Sequence, residues 1–335
     1  MRNESITNRS LVEPTPLPPL RRVVPMLVSQ VLVGMLVAGA FVGMYIGLQR
    51  APVPAHLPLA IADAQLAEAA TDRLGDTVEV SDAGSDAEAR RLVRDREVVA
   101  ALVPGAAEFT LYTAGANGRS ATGAATAIAT GLAEAAGGAD VEVRDLVPLV
   151  TNDPQGLAGF YLVFGTTLAA FILAQIMYAV SGFARLRVRV VTAVVGSIAA
   201  AVVAAIIAGP LFGAVPAPSV TTIAVLSLLA VAVSLSTLAI SSLIGPMGSV
   251  LSTLLFTTLG NSTSGATVSA FLLPPVLADL GAALPPGAAF RAVTELGYFS
   301  GDGVAGPLLV LVGWITGAAL VLAVRHRPRR SKESA

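Results

Sequence analysis

The feature that most constrains this chain is a run of 89 residues, 190–278, that contains no Asp, Glu, Lys, Arg or His. Soluble domains rarely leave so long a run uncharged, whereas a lipid bilayer needs an apolar stretch of about 20 residues for each helical span. Three further charge-free runs, 23–49, 154–184 and 303–324, are each long enough for one span. The sequence therefore predicts an integral membrane protein.

Turn signals divide the long run into separate spans. Gly209-Pro210, the pair Pro216 and Pro218, and Gly245-Pro246 each break helical backbone. The composition, with 54% hydrophobic and 13% charged residues, agrees with a membrane fold. We predict an α-helical polytopic membrane protein with six transmembrane helices, at about 23–48, 157–181, 190–213, 219–243, 247–272 and 304–324.

The basic residues predict the orientation. Twelve of the 21 Lys and Arg residues fall in segments 1–22, 182–189 and 325–335, whereas 19 of the 22 acidic residues fall on the opposite side. The positive-inside rule then places both termini in the cytoplasm. Residues 1–22, which are rich in proline, are a predicted disordered tail, and residues 326–335 are a basic cytoplasmic tail. The composition is typical of a high-GC bacterium, so the expected location is the bacterial plasma membrane.

Residues 50–155 form the predicted soluble part, a small extracytoplasmic α/β domain. Strands are predicted at 57–63, 77–81, 98–103, 109–113 and 141–149, and helices at 64–74, 85–96 and 120–136. Ser85 is a predicted N-cap because Glu88 follows it at the capping-box spacing. Sixteen acidic residues against eight basic ones argue against a nucleic-acid partner.

Glycines recur every four residues on the first span, at Gly39, Gly43 and Gly47. This spacing puts a smooth strip on one helix face, where another helix can approach closely. Packing against a later span of the same chain is the expected use, with dimerisation as the alternative. Ala38-Gly39-Ala40 is also compatible with signal-peptidase cleavage, although the run stays apolar to Leu48, which favours an uncleaved anchor.

Segment 260–300 combines small polar residues with paired prolines. A lipid-facing helix cannot tolerate this composition because freed backbone groups would have no partner, so we predict a broken or re-entrant segment that lines a cavity. The candidate substrate-path residues are Gly260, Asn261, Ser262, Ser264, Gly265, Pro274, Pro275, Pro285, Pro286, Gly287, Arg291 and Tyr298.

The motifs of this segment resemble a known family. They read Leu259-Gly-Asn-Ser-Thr-Ser-Gly-Ala, Phe271-Leu-Leu-Pro-Pro, Leu284-Pro-Pro-Gly-Ala and Tyr298-Phe-Ser-Gly. With one N-terminal span and an α/β domain before five further spans, residues 20–325 resemble the ABC-2-type permease superfamily. Within it they are most similar to the YhgE/Pip ("phage infection protein") and DUF3533-like branch.

The resemblance implies the permease half of a homodimeric exporter that moves a lipophilic or cell-envelope-related substrate outward. ATP hydrolysis would then reside on a separate subunit, since the only lysine of this chain is Lys332 and a P-loop needs one within its glycine motif. We therefore expect no enzymatic activity in this chain. The alternative is a non-transporting membrane-anchored receptor or envelope assembly factor that acts through the extracytoplasmic domain.

Other chemistries lack the residues that they need. There is no cysteine, and His56 and His326 lie outside the apolar runs, so neither a metal site, a cofactor site nor an activated Ser262 or Ser264 is expected. Those serines are interpreted as helix-breaking, with path lining as the alternative. Arg291 and Glu295 are one helical turn apart, which predicts an ion pair, with an anionic head group on Arg291 as the alternative.

Overall fold

The structure is a computed structural model that describes residues 19–50, 52–106, 108–138 and 140–325. The predicted basic tail lies outside these residues, as does nearly all of the predicted disordered tail. The described part of that tail differs from the prediction, because helix α1 already begins at Leu20.

Within the described residues, five helices are long and apolar enough to cross a membrane. Four of them agree with predicted spans to within about three residues at each end. The fifth, α6, begins four residues before its predicted start at 190, and its last part, Ile207–Leu211, is a π-helical turn. The five are α1 (Leu20–Gln49), α5 (Ala158–Ala179), α6 (Leu186–Ile206), α7 (Ser219–Ile244) and α11 (Ala305–Arg325).

The fifth predicted span, 247–272, is not one helix. Helix α8 (Met247–Ser252) continues as π-helix through Thr253–Gly260, and the helical backbone ends at Ser262. Sixteen helical residues reach about 24 Å, short of a hydrocarbon core of about 30 Å. The hydroxyls of Thr257 and Thr263 bond the carbonyls four residues earlier, an arrangement that bends helices.

Helix α7 is the centre of the helical bundle. The helices that pack against it are α5, α6, α8, α11 and a further helix, α10 (Pro285–Tyr298). Leu226 and Leu229 of α7 lie in one buried core with Phe256 and Leu311. Small side chains let the neighbouring helices come close. The hydroxyl of Ser249 on α8 donates a hydrogen bond to the side-chain oxygen of Gln175 on α5 at 2.7 Å. Gln175 is therefore an interhelical hydrogen-bond partner.

Residues 57–145 form a five-stranded sheet with helices on both faces. The strand order is β2-β1-β3-β4-β5, and all neighbours are parallel except β3 and β4. The strands are β1 (Leu57–Ile61), β2 (Val78–Asp82), β3 (Ala100–Pro104), β4 (Phe109–Thr113) and β5 (Val141–Asp145); the helices are α2 (Ala64–Leu74), α3 (Asp86–Arg94) and α4 (Arg119–Ala135). This is the predicted order of elements, although β5 is four residues shorter than predicted.

Local capping explains where the sheet helices begin. The Ser85 hydroxyl accepts a hydrogen bond from the Glu88 N–H at 3.2 Å, which confirms the predicted N-cap of α3. A carboxylate does the same for α2, where Asp63 accepts from the Leu66 N–H at 2.7 Å. Helices α2 and α4 cover one face of the sheet, and α3 covers the other.

The sheet sits at one end of the bundle, here called the sheet side. Asn152, which follows β5, donates to the Phe212 carbonyl just after the π-helical turn that ends α6. Arg96 pairs with Glu295 in the last turn of α10. The opposite end, here called the basic side, carries Arg185 and Arg325 at the helix ends. The strong charge asymmetry of the sequence is therefore also an asymmetry between the two ends of the fold.

Candidate functional site

A helical hairpin enters the bundle from the sheet side and turns back inside it. Its arms are α9 (Pro275–Ala283) and α10 (Pro285–Tyr298), which meet at Leu284. The indole N–H of Trp314 donates to the Ala283 carbonyl at 2.8 Å. Because Trp314 lies nine residues into α11, the hairpin tip reaches about 14 Å into the bundle, roughly half the thickness of a hydrocarbon core.

Two glycines allow the hairpin to pack directly on the end of α8. A side chain at Gly281 would overlap the Thr263 carbonyl, and one at Gly287 would overlap the Gly281 carbonyl. Backbone therefore lies against backbone at the tip, where the buried Pro285 and Pro286 begin α10 at positions that need no N–H partner. A Cβ at Gly260 would lie 2.9 Å from the Pro286 ring.

The polar residues after Gly260 hydrogen-bond within their own turn. Asn261 donates to the Phe256 carbonyl at 2.8 Å, and the Ser264 hydroxyl donates to the Asn261 carbonyl at the same distance. Ser262 donates to the Leu259 carbonyl at 3.2 Å. These side chains satisfy the broken end of α8, which agrees with the helix-breaking interpretation.

A cavity of about 380 Å³ lies between the hairpin and the sheet, and we call it the junction chamber. Both arms of the hairpin line it, together with the loop after α8 and the turns at the sheet edge. Its polar lining includes Arg96, Asn117, Ser264, Asp279, Arg291 and Glu295. Three of the predicted site residues, Ser264, Gly265 and Arg291, therefore line this chamber together with Arg96 and Asn117 of the sheet domain.

An ion pair joins the sheet to the hairpin across the junction chamber. The Arg96 guanidinium lies 2.6 Å from Glu295, with side chains that are only 25% and 13% exposed. Its Nε donates to the Asn117 side-chain oxygen at 3.1 Å, and its cationic carbon lies 4.9 Å from the centre of the Phe299 ring. Arg96 adopts a left-handed backbone with φ of 61°, a conformation that costs a non-glycine residue about 1 kcal/mol or more. We call this pair the junction latch.

The junction latch overturns one sequence prediction. Glu295 pairs with Arg96, which is 199 residues away in the chain, and not with Arg291 one turn before it. Arg291 instead donates to the Ala282 carbonyl at 3.0 Å, at the carboxyl end of α9. A cation is favourable there because the last carbonyls of a helix lack backbone partners.

A second cavity of about 220 Å³ lies on the other side of Phe290. Tyr298 lines it, and Gly265, with φ of 86°, lines both cavities. The remaining predicted prolines are farther out: Pro274 and Pro275 begin α9 and are exposed.

An apolar groove of about 520 Å³ runs between α7 and α11 on the other side of the hairpin tip, and we call it the lateral groove. Ile240 of α7 and Val321 of α11 line it, as do Trp314 and Ala283 beside the hairpin tip. Ala282 lines the junction chamber and Ala283 lines the lateral groove. A polar space and an apolar space therefore lie on opposite sides of one hairpin tip.

The glycine strip of α1 does not pack as predicted. In the part of the chain that the structure describes, nothing lies within 4 Å of the Cβ positions of Gly39, Gly43 and Gly47, so no helix of the same chain covers them. Helix α1 instead uses a neighbouring face, with Phe41 against Phe164 of α5 at 6.4 Å between ring centres. The prediction of intramolecular packing for this strip is wrong.

Comparison with known proteins identifies no related protein. No protein-family model matches the chain, and neither a curated protein nor a solved structure does. Among the residues that the structure describes, no group of three or more His, Cys, Asp and Glu side chains could hold a metal ion. The polar groups that line the junction chamber are guanidinium, amide, hydroxyl and carboxylate groups.

Proposed function

We propose that this protein is the permease subunit of an ABC-2-like exporter and moves a lipophilic or envelope-related molecule outward. The observation that carries the proposal is the position of the hairpin tip, at about mid-depth, between the polar junction chamber and the apolar lateral groove. An amphiphile needs such a pair of adjoining spaces, one for its head group and one for its chain. Broken helices at this depth are typical of transport sites.

ATP hydrolysis belongs to a separate subunit in this proposal, and the basic side offers a surface for it. Phe183, in the turn between α5 and α6, is 95% exposed. Leu243, Ile244 and Met247 are exposed in the next turn on the same side. Aromatic residues, methionine and arginine are enriched at protein interfaces, and Arg185 lies two residues after Phe183.

The decisive experiment is affinity purification of the tagged protein from mild detergent, with mass spectrometry of the subunits that co-purify with it. Stoichiometric recovery of a P-loop ATPase, and its loss in Phe183→Ser, is the expected result. Phe212→Ser is the matched control, since Phe212 is 62% exposed but lies at the sheet side. Equal co-purification of an ATPase with both variants would contradict the proposal that it docks at the turn around Phe183.

A receptor or envelope assembly factor is the second candidate. The observation in its favour is the sheet, whose edge strands β2 and β5 each pair on one side only among the residues that the structure describes. Such an edge can accept a further strand from a partner. Recovery of the protein alone, or only with envelope proteins, would favour this function over export.

A further inference from the structure

Arg291 carries a positive charge that no carboxylate neutralises. Within the described ranges, no carboxylate oxygen lies within 4.0 Å of its guanidinium, and Glu295 is held by Arg96. A guanidinium has five N–H donors. One of its nitrogens, Nη2, donates to the Ala282 carbonyl, whereas its Nε is buried and has no partner in the part of the chain that the structure describes. Capping α9 therefore accounts for only part of what this side chain can bind.

Asn117 supplies a second unused donor in the same chamber. Its side-chain oxygen accepts from Arg96, which fixes the amide so that the nitrogen is left over. That nitrogen is buried and has no partner among the described residues. Of the fourteen buried side-chain atoms without a partner among the described residues, these two are the ones whose residues line the junction chamber. Both are N–H donors, so an acceptor bound in the chamber would satisfy them together.

The chemistry of that acceptor follows from the donors. A guanidinium and an amide N–H both bind oxyanions, and hydrogen bonds from a cation to an oxyanion are the stronger kind. Asp279 also lines the chamber, but it is exposed, so solvent and salt screen its charge. Glu97, another lining carboxylate, is paired with Arg91 at 2.7 Å.

We propose that the junction chamber binds an oxyanion, a phosphate or carboxylate group, through Arg291 with Asn117 as the second donor. The oxyanion belongs to the head group of an amphiphile, whose chain lies toward the lateral groove on the other side of the hairpin tip. Binding to the chamber stands by itself, whereas the role of this amphiphile as cargo rests on the export function proposed above.

The test is equilibrium binding of tritium-labelled dihexanoyl phosphatidic acid to the purified full chain in detergent, without ATP or any partner. The expected result is saturable binding that Arg291→Gln weakens roughly tenfold or more, because a charged hydrogen-bond donor is lost. Arg291→Lys should restore part of the affinity. Asp279→Asn is the matched control in the same chamber and should bind at least as well as the wild type.

A second variant guards against misfolding of the first. Asn117→Asp places a carboxylate where the amide donor was and should also weaken binding roughly tenfold or more. Each variant is checked by gel filtration and by the emission of Trp314, the single tryptophan, at the hairpin tip. Unchanged affinity in folded Arg291→Gln, or equal binding of uncharged dihexanoylglycerol, would overturn the site.

Competition separates the two sources of the oxyanion. Inorganic phosphate that displaces the lipid only at far higher concentration supports a head-group site. Phosphate that competes as tightly as the lipid would overturn the head-group assignment and leave a site for free oxyanions. Because binding is measured without the partner subunit, a failed recovery of an ATPase bears on export and not on this result.

Discussion

Breaking the junction latch should loosen the hairpin from the sheet. A solvent-exposed ion pair contributes about 1 kcal/mol at most, and removing one partner of a fully buried pair costs roughly 3–5 kcal/mol. Arg96 and Glu295 are 25% and 13% exposed, which places them between these limits. We expect a coupling free energy of about 2 kcal/mol from the double-mutant cycle of Arg96→Gln and Glu295→Gln.

The structure also predicts a difference between two truncations of Arg96. Arg96→Ala loses the ion pair, the Asn117 hydrogen bond and the contact with Phe299, together about 3 kcal/mol. Arg96→Gly loses the same contacts but adopts the left-handed backbone without strain, so it should be about 1 kcal/mol more stable than Arg96→Ala.

Hydrogen–deuterium exchange of the last two turns of α10 is the assay. For a latch of about 2 kcal/mol, exchange in Glu295→Gln should be about 30 times faster when the hairpin opens locally. Arg144→Gln is the control, because its pair with Glu142 has the same 2.6 Å separation but lies on the exposed surface. A coupling free energy below about 0.5 kcal/mol, or equal stability of the Ala and Gly variants, would refute the reasoning.

Two further predictions concern the sheet and the hairpin tip. Burial raises the pKa of Tyr112 above its ordinary value of 10.0, and its hydrogen bond to Asp86 acts in the same direction. The neutral phenol therefore stabilises the folded sheet fully below pH 10, and this contribution to the free energy of unfolding is lost as the pH rises through the folded-state pKa. In Tyr112→Phe the melting temperature should fall less between neutral and alkaline pH than in the wild type. Gly281→Ala should destabilise the protein by about 2 kcal/mol or more, because the new methyl group meets the Thr263 backbone. Gly313→Ala is its control, since nothing lies within 4 Å of that Cβ position, and equal melting temperatures of the two variants would contradict the close packing at the tip.

Composition and periodicity predicted most of the helices and strands because those signals are local. Helix α7 was expected at 219–243 and runs through Ser219–Ile244. The same signals failed at α8, since segment 247–272 is uniformly uncharged and hydropathy cannot register where a helix ends inside such a run. Beside that end Gly281 packs backbone to backbone against Thr263, a contact between residues that no helical or strand period relates.

At the site, too, local sequence signals predicted the unusual segment but not its tertiary contacts. The prolines and small polar residues of 260–300 marked the unusual segment, but the junction latch had no signal in the sequence, because Arg96 and Glu295 lie 199 residues apart. The regular spacing of Arg291 and Glu295 even favoured the wrong partner. Asn117 was missed for a similar reason: its role depends on a side-chain oxygen held by Arg96, which only the tertiary fold provides.

The hairpin arm α10 is held at both ends by different parts of the molecule. Glu295 is tied to the sheet, and eleven residues away Leu284 adjoins Ala283, whose carbonyl is tied to Trp314. The helix between them is uninterrupted and spans about 16 Å. It therefore acts as a rigid link: a rotation of the sheet must either move the hairpin tip, whose Ala283 lines the lateral groove, or break one of the two ties.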